Sequence, residues 1–276
     1  MICQWKELLS ILPQWLSSET DSLGRECLQE LRLRRGQPPE LVCSDGSKWL
    51  HRIVLEQDLL FCINTASRYS PWSAQTLSQG YLTAPGGHRI GICGEAALHK
   101  GLISTIRTPT SLCIRVARDF PGCGENVAAL NGSILLIGPP GSGKTTLLRD
   151  LIRHIAKKET VAVVDERGEL FPSLFCDGNI RLDVLSNCPK QIGIDMVLRT
   201  MGPSCIAVDE ITAEEDCRAL IHAGWCGVRL LATAHAASVH DLKRRSLYRP
   251  LVDTKLFDHV IVLRRDKTWR EERMDL

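Results

Sequence analysis

Residues 133 to 150 read Ser-Ile-Leu-Leu-Ile-Gly-Pro-Pro-Gly-Ser-Gly-Lys-Thr-Thr-Leu-Leu-Arg-Asp, and no other stretch limits what this chain can fold into as strongly. Ile134 to Ile137 form an apolar run of strand length, the glycines that follow permit a tight loop, and Lys144 opens a segment with helical spacing. Gly138, Gly143, Lys144 and Thr145 fill the fixed positions of the pattern G-x-x-x-x-G-K-[ST]. A loop of this kind turns consecutive backbone N–H groups inward around a polyanion. Gly138, Pro139, Pro140, Gly141, Ser142, Gly143, Lys144, Thr145 and Thr146 are therefore expected to wrap the phosphates of a nucleoside triphosphate. Lys144 would bring positive charge to the outer phosphates, and the Thr145 hydroxyl stands where it can ligate Mg²⁺ at the start of the helix.

From residue 121 onward, apolar runs alternate with helical periods. Strands are expected at 134–137, 161–164, 205–208, 229–233 and 260–263, with helices from residue 144, around 192–201 and near 214–223. This alternation predicts an α/β domain, a parallel sheet covered by helices on both faces, with ligands outside the carboxyl ends of its strands. The carboxylate and histidine candidates each follow such a strand. Cys205-Ile206-Ala207-Val208 ends in Asp209 and Glu210, two carboxylates that would be costly to bury unless they face a cation or water. Asp209 fits magnesium positioning and Glu210 fits polarisation of the attacking water. The 161–164 run ends in Asp165 and Glu166, which could add to that shell, or could pair with Arg167 at a surface turn. His235 follows Leu230-Leu231-Ala232-Thr233-Ala234 and could contact a γ-phosphate. Phosphoryl transfer often calls for an arginine as well. Arg199 is the candidate just before the Asp209 strand, and Arg89, Arg107 and Arg115 are candidates upstream. If none reaches the site within one chain, a neighbouring subunit must supply the group.

Residues 1–120 read as a separate, smaller α+β domain, with the boundary at Pro121-Gly122-Cys123-Gly124. Trp5, Leu8, Leu9, Leu12, Trp15 and Leu16 recur at helical spacing around Pro13, which predicts one or two amphipathic helices. The period then changes to two at Leu31 and Leu33, and apolar segments flank Asp45-Gly46 as in a hairpin. Helices are expected over 56–69 and 73–79, followed by a small glycine-punctuated β region over 86–116.

Composition narrows the partners. The 34 basic and 32 acidic residues leave a net charge of +2, which argues against a nucleic-acid surface. Twelve cysteines with no C-x-x-C pair, and an N-terminus without an apolar signal core, point to a reducing cytoplasm rather than to disulfides or zinc. No window approaches the length of apolar chain that spans a bilayer.

GPPGSGKTTLLRDLIR, VVDERGEL, MVLRTMGPSCIAVDEI and LLATAHA, in that order, resemble the motif series of the stage III sporulation protein AA ATPases of spore-forming bacteria, relatives of the type II and type IV secretion ATPases. ELRLRRGQPPEL and GHRIGICGEA resemble that family's N-terminal domain, so the likeness covers most of the chain. It implies an additional-strand P-loop ATPase, with one strand inserted between those that carry the phosphate loop and Asp209. It also implies ATP and Mg²⁺, a homo-oligomeric ring, a hexamer, with ATP between subunits, and a membrane-embedded partner in a channel or secretion apparatus during sporulation, with the chain on its cytoplasmic side. By the same resemblance Lys144 and Thr145 match the Walker A pair, Asp209 and Glu210 the Walker B pair, Glu166 the acidic box and His235 the histidine box. Two positions depart from the family: Thr212 stands where glycine is usual, and the segment 263–269 has no Gly-Pro-Gly turn. An ATPase that drives motion of its N-terminal domain is the leading expectation. An ATP-dependent docking platform and a nucleic-acid motor are the alternatives.

Overall fold

The computed structural model describes residues 3–43, 45–68, 80–171 and 179–274. The chain forms two compact units, Met1–Asp119 and Phe120–Leu276.

In the first unit, α1 (Trp5–Ser10), α2 (Gln14–Leu23) and α3 (Glu56–Ala66) accompany a six-stranded antiparallel sheet. Its strands are β1 (Leu28–Arg34), β2 (Glu40–Cys43), β3 (Gly46–Trp49), β4 (Tyr81–Thr83), β5 (Arg89–His99) and β6 (Leu102–Arg115), in the order β3-β2-β1-β6-β5-β4. The alternation at Leu31 and Leu33 sends both side chains into one core with Leu8, Ile11, Leu16, Leu59 and Ile114. On the other face, Arg32 pairs with Glu30 at 2.9 Å and Arg34 with Glu40 at 2.8 Å. The hairpin around Asp45 forms as β2 and β3. The helix expected over 73–79 lies outside the described residues. The region 86–116 is more regular than its composition suggests: β5 and β6 pair along their whole length, with register shifts at Cys93/Gly94, Glu95/Ala96 and Ala97/Leu98. Around the turn the residues are polar or exposed, so backbone pairing holds the ladder where no apolar alternation announces it.

His88 is fully buried in this unit. Its Nε2 lies 3.0 Å from the Gln4 carbonyl and its Nδ1 accepts from the Ala117 N–H at 3.1 Å, an arrangement that only the neutral ring satisfies. Burial pushes its pKa below 6.5, outweighing the raising influence of the Gln4 carbonyl and Glu7. The unfolded chain takes up a proton as pH falls through 6.5 and the native state does not, so stability present above 6.5 is lost toward the lower folded value. The slope approaches about 1.4 kcal/mol per pH unit within that window. Thermal melts between pH 7.5 and 5.5 are expected to show a falling midpoint for this unit, and His88→Gln is expected to flatten the fall.

The second unit begins with α4 (Glu125–Ala128), then β7 (Ile134–Ile137), α5 (Lys144–Ala156), β8 (Val161–Asp165), β9 (Leu182–Ser186), α6 (Lys190–Thr200), β10 (Cys205–Val208) and α7 (Glu214–Trp225). It continues with β11 (Arg229–Ala234), α8 (Val239–Arg244), α9 (Arg249–Asp253), β12 (His259–Leu263) and β13 (Trp269–Glu272). The sheet order is β13-β12-β7-β11-β10-β8-β9, parallel except for β13. β11 lies between β7 and β10, so one strand separates the glycine loop from Asp209. Four fully buried residues in a row at β7, and again at β10, make sense only in a strand covered on both faces. Alternate side chains divide between two cores. Ile134, Leu136, Val161, Val163, Cys205 and Ala207 meet Leu148, Leu151 and Ile152 of α5. Leu135, Ile137, Ala162, Val164, Ile206 and Val208 join Ile194 of α6 and Leu220 of α7 in the other. Burying each large aliphatic side chain contributes about 1.5–3 kcal/mol, so this two-sided packing fixes the strand ends from which the loops project.

Asp150 of α5 accepts from the Gly122 and Gly124 N–H groups at 3.0 and 2.7 Å, which ties the start of the unit to the helix that follows the glycine loop. No helix among the described residues is long and apolar enough to cross a membrane.

Candidate active site

The loop between β7 and α5 depends on its glycines at two points. Gly143 has φ of 97° where it leads into α5, in the left-handed region that disfavours side chains. At Gly138 a Cβ would stand 2.6 Å from the Leu263 carbonyl and 2.8 Å from Ser142 Oγ, so only glycine lets the loop pass β12. The loop closes on Lys144, which is 7% exposed. Its ammonium donates to the Gly138 and Pro139 carbonyls at 2.9 and 3.1 Å and lies 3.2 Å from His235 Nδ1. Burial pushes the Lys144 pKa down, more than Asp209 and Glu210 push it up. Ser142 is buried and its Oγ has no hydrogen-bond partner. A desolvated cation and an orphaned hydroxyl in one glycine loop are what a bound polyanion would satisfy.

Asp209 and Glu210 follow β10 directly. Thr145 Oγ1 donates to Asp209 Oδ2 at 2.9 Å, and Thr233 Oγ1 donates to Asp209 Oδ1 at 2.6 Å while accepting the Glu210 N–H at 2.8 Å. The Thr145–Asp209 pair brings together, across the inserted strand, one hydroxyl and one carboxylate oxygen, the hard donors that would suit Mg²⁺.

Glu210 has φ of 51°, a conformation that costs a residue with a Cβ about 1 kcal/mol and is held by its neighbours. His235 Nε2 is 2.9 Å from Glu210 Oε1, and Arg167 Nη1 is 2.5 Å from Glu210 Oε2. An ammonium only donates, so His235 Nδ1 accepts from Lys144 and Nε2–H donates to Glu210. Lys144, His235, Glu210 and Arg167 thus form one hydrogen-bonded chain that runs over the ends of four strands, β7, β11, β10 and β8.

The structure brings some of the expected residues together and not others. Lys144, Thr145, Asp209, Glu210 and His235 converge. Glu166 instead pairs with Lys190 at the start of α6, and Lys190 also approaches Asp216 at 3.5 Å. Asp165 is buried and accepts from the Glu169, Leu170 and Phe171 N–H groups at 2.9, 2.9 and 3.2 Å, so it organises its own turn. Burial pushes its pKa up against those three bonds. Arg199 is exposed in the last turn of α6, the end that leads into the amino edge of β10, away from the glycine loop. That is a physical reason to set it aside as a group acting within its own chain. In the first unit Arg89 stacks on Tyr81, Arg115 lies 3.4 Å from Glu30 and Arg107 is exposed. Arg167 and Thr233 also join the cluster, and sequence reasoning did not assign either of them to it. Arg167 read as a turn ion-pair residue, and its partner proves to be Glu210 two strands of chain later; the polar Thr233 inside the apolar β11 was the available signal.

A family model described as "Sporulation stage III, protein AA" matches residues 5–272. The chain belongs to that family. Stage III sporulation protein AA of Bacillus subtilis (strain 168) is 33% identical over 282 residues, covering 95% of this chain and 91% of that protein. Among solved structures, the Legionella pneumophila ATPase DotB is 19% identical with a TM-score of 0.63, covering 95% of this chain and 80% of that one. The pilus retraction motor PilT, solved with bound ADP, is 15% identical with a TM-score of 0.63, covering 90% and 76%. At these identities the two structures share the fold with this sporulation stage III family member.

Proposed function

We propose that this chain hydrolyses ATP to ADP and phosphate. The observation that carries the reading is the hydrogen-bonded chain from Lys144 through His235 to Glu210, which links the place where a γ-phosphate would be held to the carboxylate that would handle water. Backbone N–H groups of residues 138–146 and the Lys144 ammonium bind the phosphates. Thr145 and Asp209 hold Mg²⁺, which when bound neutralises phosphate charge. Glu210 orients a water toward the terminal phosphorus and draws its proton, while His235 reports whether Lys144 is engaged by phosphate or free to bond the imidazole. Thr233 fixes Asp209 from behind. The two structural neighbours, the ATPase DotB and the motor PilT with bound ADP, support this reading.

The same proposal includes a ring, a hexamer by analogy with secretion ATPases, whose members act with a membrane-embedded partner during sporulation. The name of the B. subtilis relative supports the sporulation setting. With Arg199 away from the glycine loop and Arg167 committed to Glu210, a neighbouring subunit is the proposed source of any further arginine at the γ-phosphate. One observation favours a second reading, ATP as an assembly ligand: both Glu210 carboxylate oxygens are engaged, one by His235 and one by Arg167, which leaves the base occupied until something releases it. Sedimentation with MgATP, paired with a phosphate-release assay on the same sample, separates the two. Assembly with turnover is expected. Assembly without turnover selects the docking reading, and a monomer at every ATP concentration removes the ring.

A further inference from the structure

The β12–β13 turn is the place where the family resemblance led to a Gly-Pro-Gly turn and this chain carries Arg264-Arg265-Asp266-Lys267-Thr268 instead. The turn is ordered by its own bonds. Arg264 N–H donates to the Thr268 carbonyl at 2.9 Å, Lys267 N–H to the Arg264 carbonyl at 3.1 Å, and Asp266 accepts from the Thr268 N–H at 3.0 Å and hydroxyl at 2.7 Å. These Thr268 bonds commit the Asp266 carboxylate to the turn and hold its pKa below the usual carboxylate range. Lys267 has φ of 69°, and its ammonium donates to the Gly141 carbonyl in the middle of the glycine loop. Its stem runs over the loop, since a Cβ on Gly143 would stand 3.7 Å from Lys267 Cδ. Arg264 and Arg265 of the same turn line a cavity of about 430 Å³ together with Pro139, Pro140 and His235.

We propose that Lys267 is a second phosphate-binding cation of this site, supplied by the C-terminal hairpin of the same chain. The inference rests on the nucleotide reading above. A backbone carbonyl is a weak partner for an ammonium, and a phosphate oxygen beside it is a stronger one, because charge-assisted bonds to an anion are about twice as strong as those to a neutral acceptor. The buried Ser142 hydroxyl, without a partner in the same loop, marks the loop as unsatisfied from inside. Lys144, buried, rests on the Gly138 and Pro139 carbonyls and Lys267, exposed, on the Gly141 carbonyl, so a polyphosphate taken up by this loop would meet two cations.

The test is binding to the 276-residue protein of a fluorescent ATP analogue with Mg²⁺, and its competition by inorganic tripolyphosphate, which carries the charge without base or sugar. Lys267 is exposed, so its variants are expected to fold with an unchanged melting temperature. Lys267→Met keeps the stem and removes the charge; it is expected to weaken both ligands about tenfold, and Lys267→Arg to recover most of the loss. A residue that merely braced the loop would not discriminate charge in this way. If Lys267→Met binds both ligands as the wild type does while Lys144→Met does not, the inference about Lys267 is wrong and the nucleotide site stands. If the wild type binds neither ligand, the nucleotide reading itself fails.

Discussion

Glu210→Gln is expected to bind MgATP with affinity close to the wild type and to turn it over about a hundred- to a thousand-fold more slowly, the range for losing a positioned general base. The substitution keeps the side-chain volume and a hydrogen-bond acceptor for His235 Nε2–H. It removes the negative charge that faces Arg167 and would draw a proton from water. The left-handed backbone at Glu210 makes the geometric part of the argument. A residue with a Cβ occupies that conformation because the Thr233 hydroxyl takes its N–H and because His235 and Arg167 grip its carboxylate. The side chain is therefore aimed before any ligand arrives. Equilibrium binding and single-turnover phosphate release on the same preparation give the two numbers. A variant that lost binding in proportion to turnover would show that Glu210 serves affinity rather than chemistry.

The second large effect is expected at Lys144. Lys144→Met should weaken ATP binding by about a hundredfold, the scale of one or two charge-assisted bonds to phosphate, and reduce turnover to background. Stability should move the other way or not at all. Burial holds the Lys144 pKa below its ordinary value, so in the unliganded protein the charged amine is less favourable folded than unfolded. By linkage, a group with a depressed folded pKa stabilises least where it is charged. Replacing it with an apolar side chain of similar length is thus expected to leave the melting temperature unchanged or raise it. Differential scanning fluorimetry with and without MgATP distinguishes this from a folding defect: the variant should melt no lower than the wild type alone, and should lose the shift that ATP produces. A clear drop in the melting temperature of the unliganded variant would mean that Lys144 is a structural residue.

Sequence legibility followed burial. Five strands of the parallel sheet, β7, β8, β10, β11 and β12, could be read because each carries a buried apolar run, and the residues just past their ends could be read because polar groups there need a reason. β13 could not be read: Trp269-Arg270-Glu271-Glu272 is an edge strand whose pairing with β12 comes from backbone bonds and from His259 against Glu271, neither of which leaves a periodic trace. β9 is half-exposed along its length and shows only a weak pattern for the same reason. In the first unit the β5–β6 ladder left no periodic trace near its turn, where Leu98, Leu102 and Ile103 are exposed. The site divides in the same way. Lys144, Thr145 and Asp209 are tied to local motifs, whereas Thr233 on Asp209, Arg167 on Glu210 and Lys267 on Gly141 reach the cluster through the sheet order, which places β11 between β7 and β10, β8 beyond β10 and β12 on the other side of β7. The Asp165-Glu166 pair shows the limit most clearly. It has the same form as Asp209-Glu210, yet Asp165 caps its own turn and Glu166 pairs with Lys190, because the chain after β8 folds back over the carboxylate and the chain after β10 does not.

ATP hydrolysis is the central claim, and phosphate release from MgATP by the purified 276-residue chain measures it. Lys144→Met prepared in parallel serves as the blank for contaminating ATPases. Sustained release by the wild type, proportional to protein concentration or steeper if a ring must assemble, with none above background from the variant, is the predicted result. Equal release from the two proteins, or none from the wild type under conditions where it binds ATP, would contradict it.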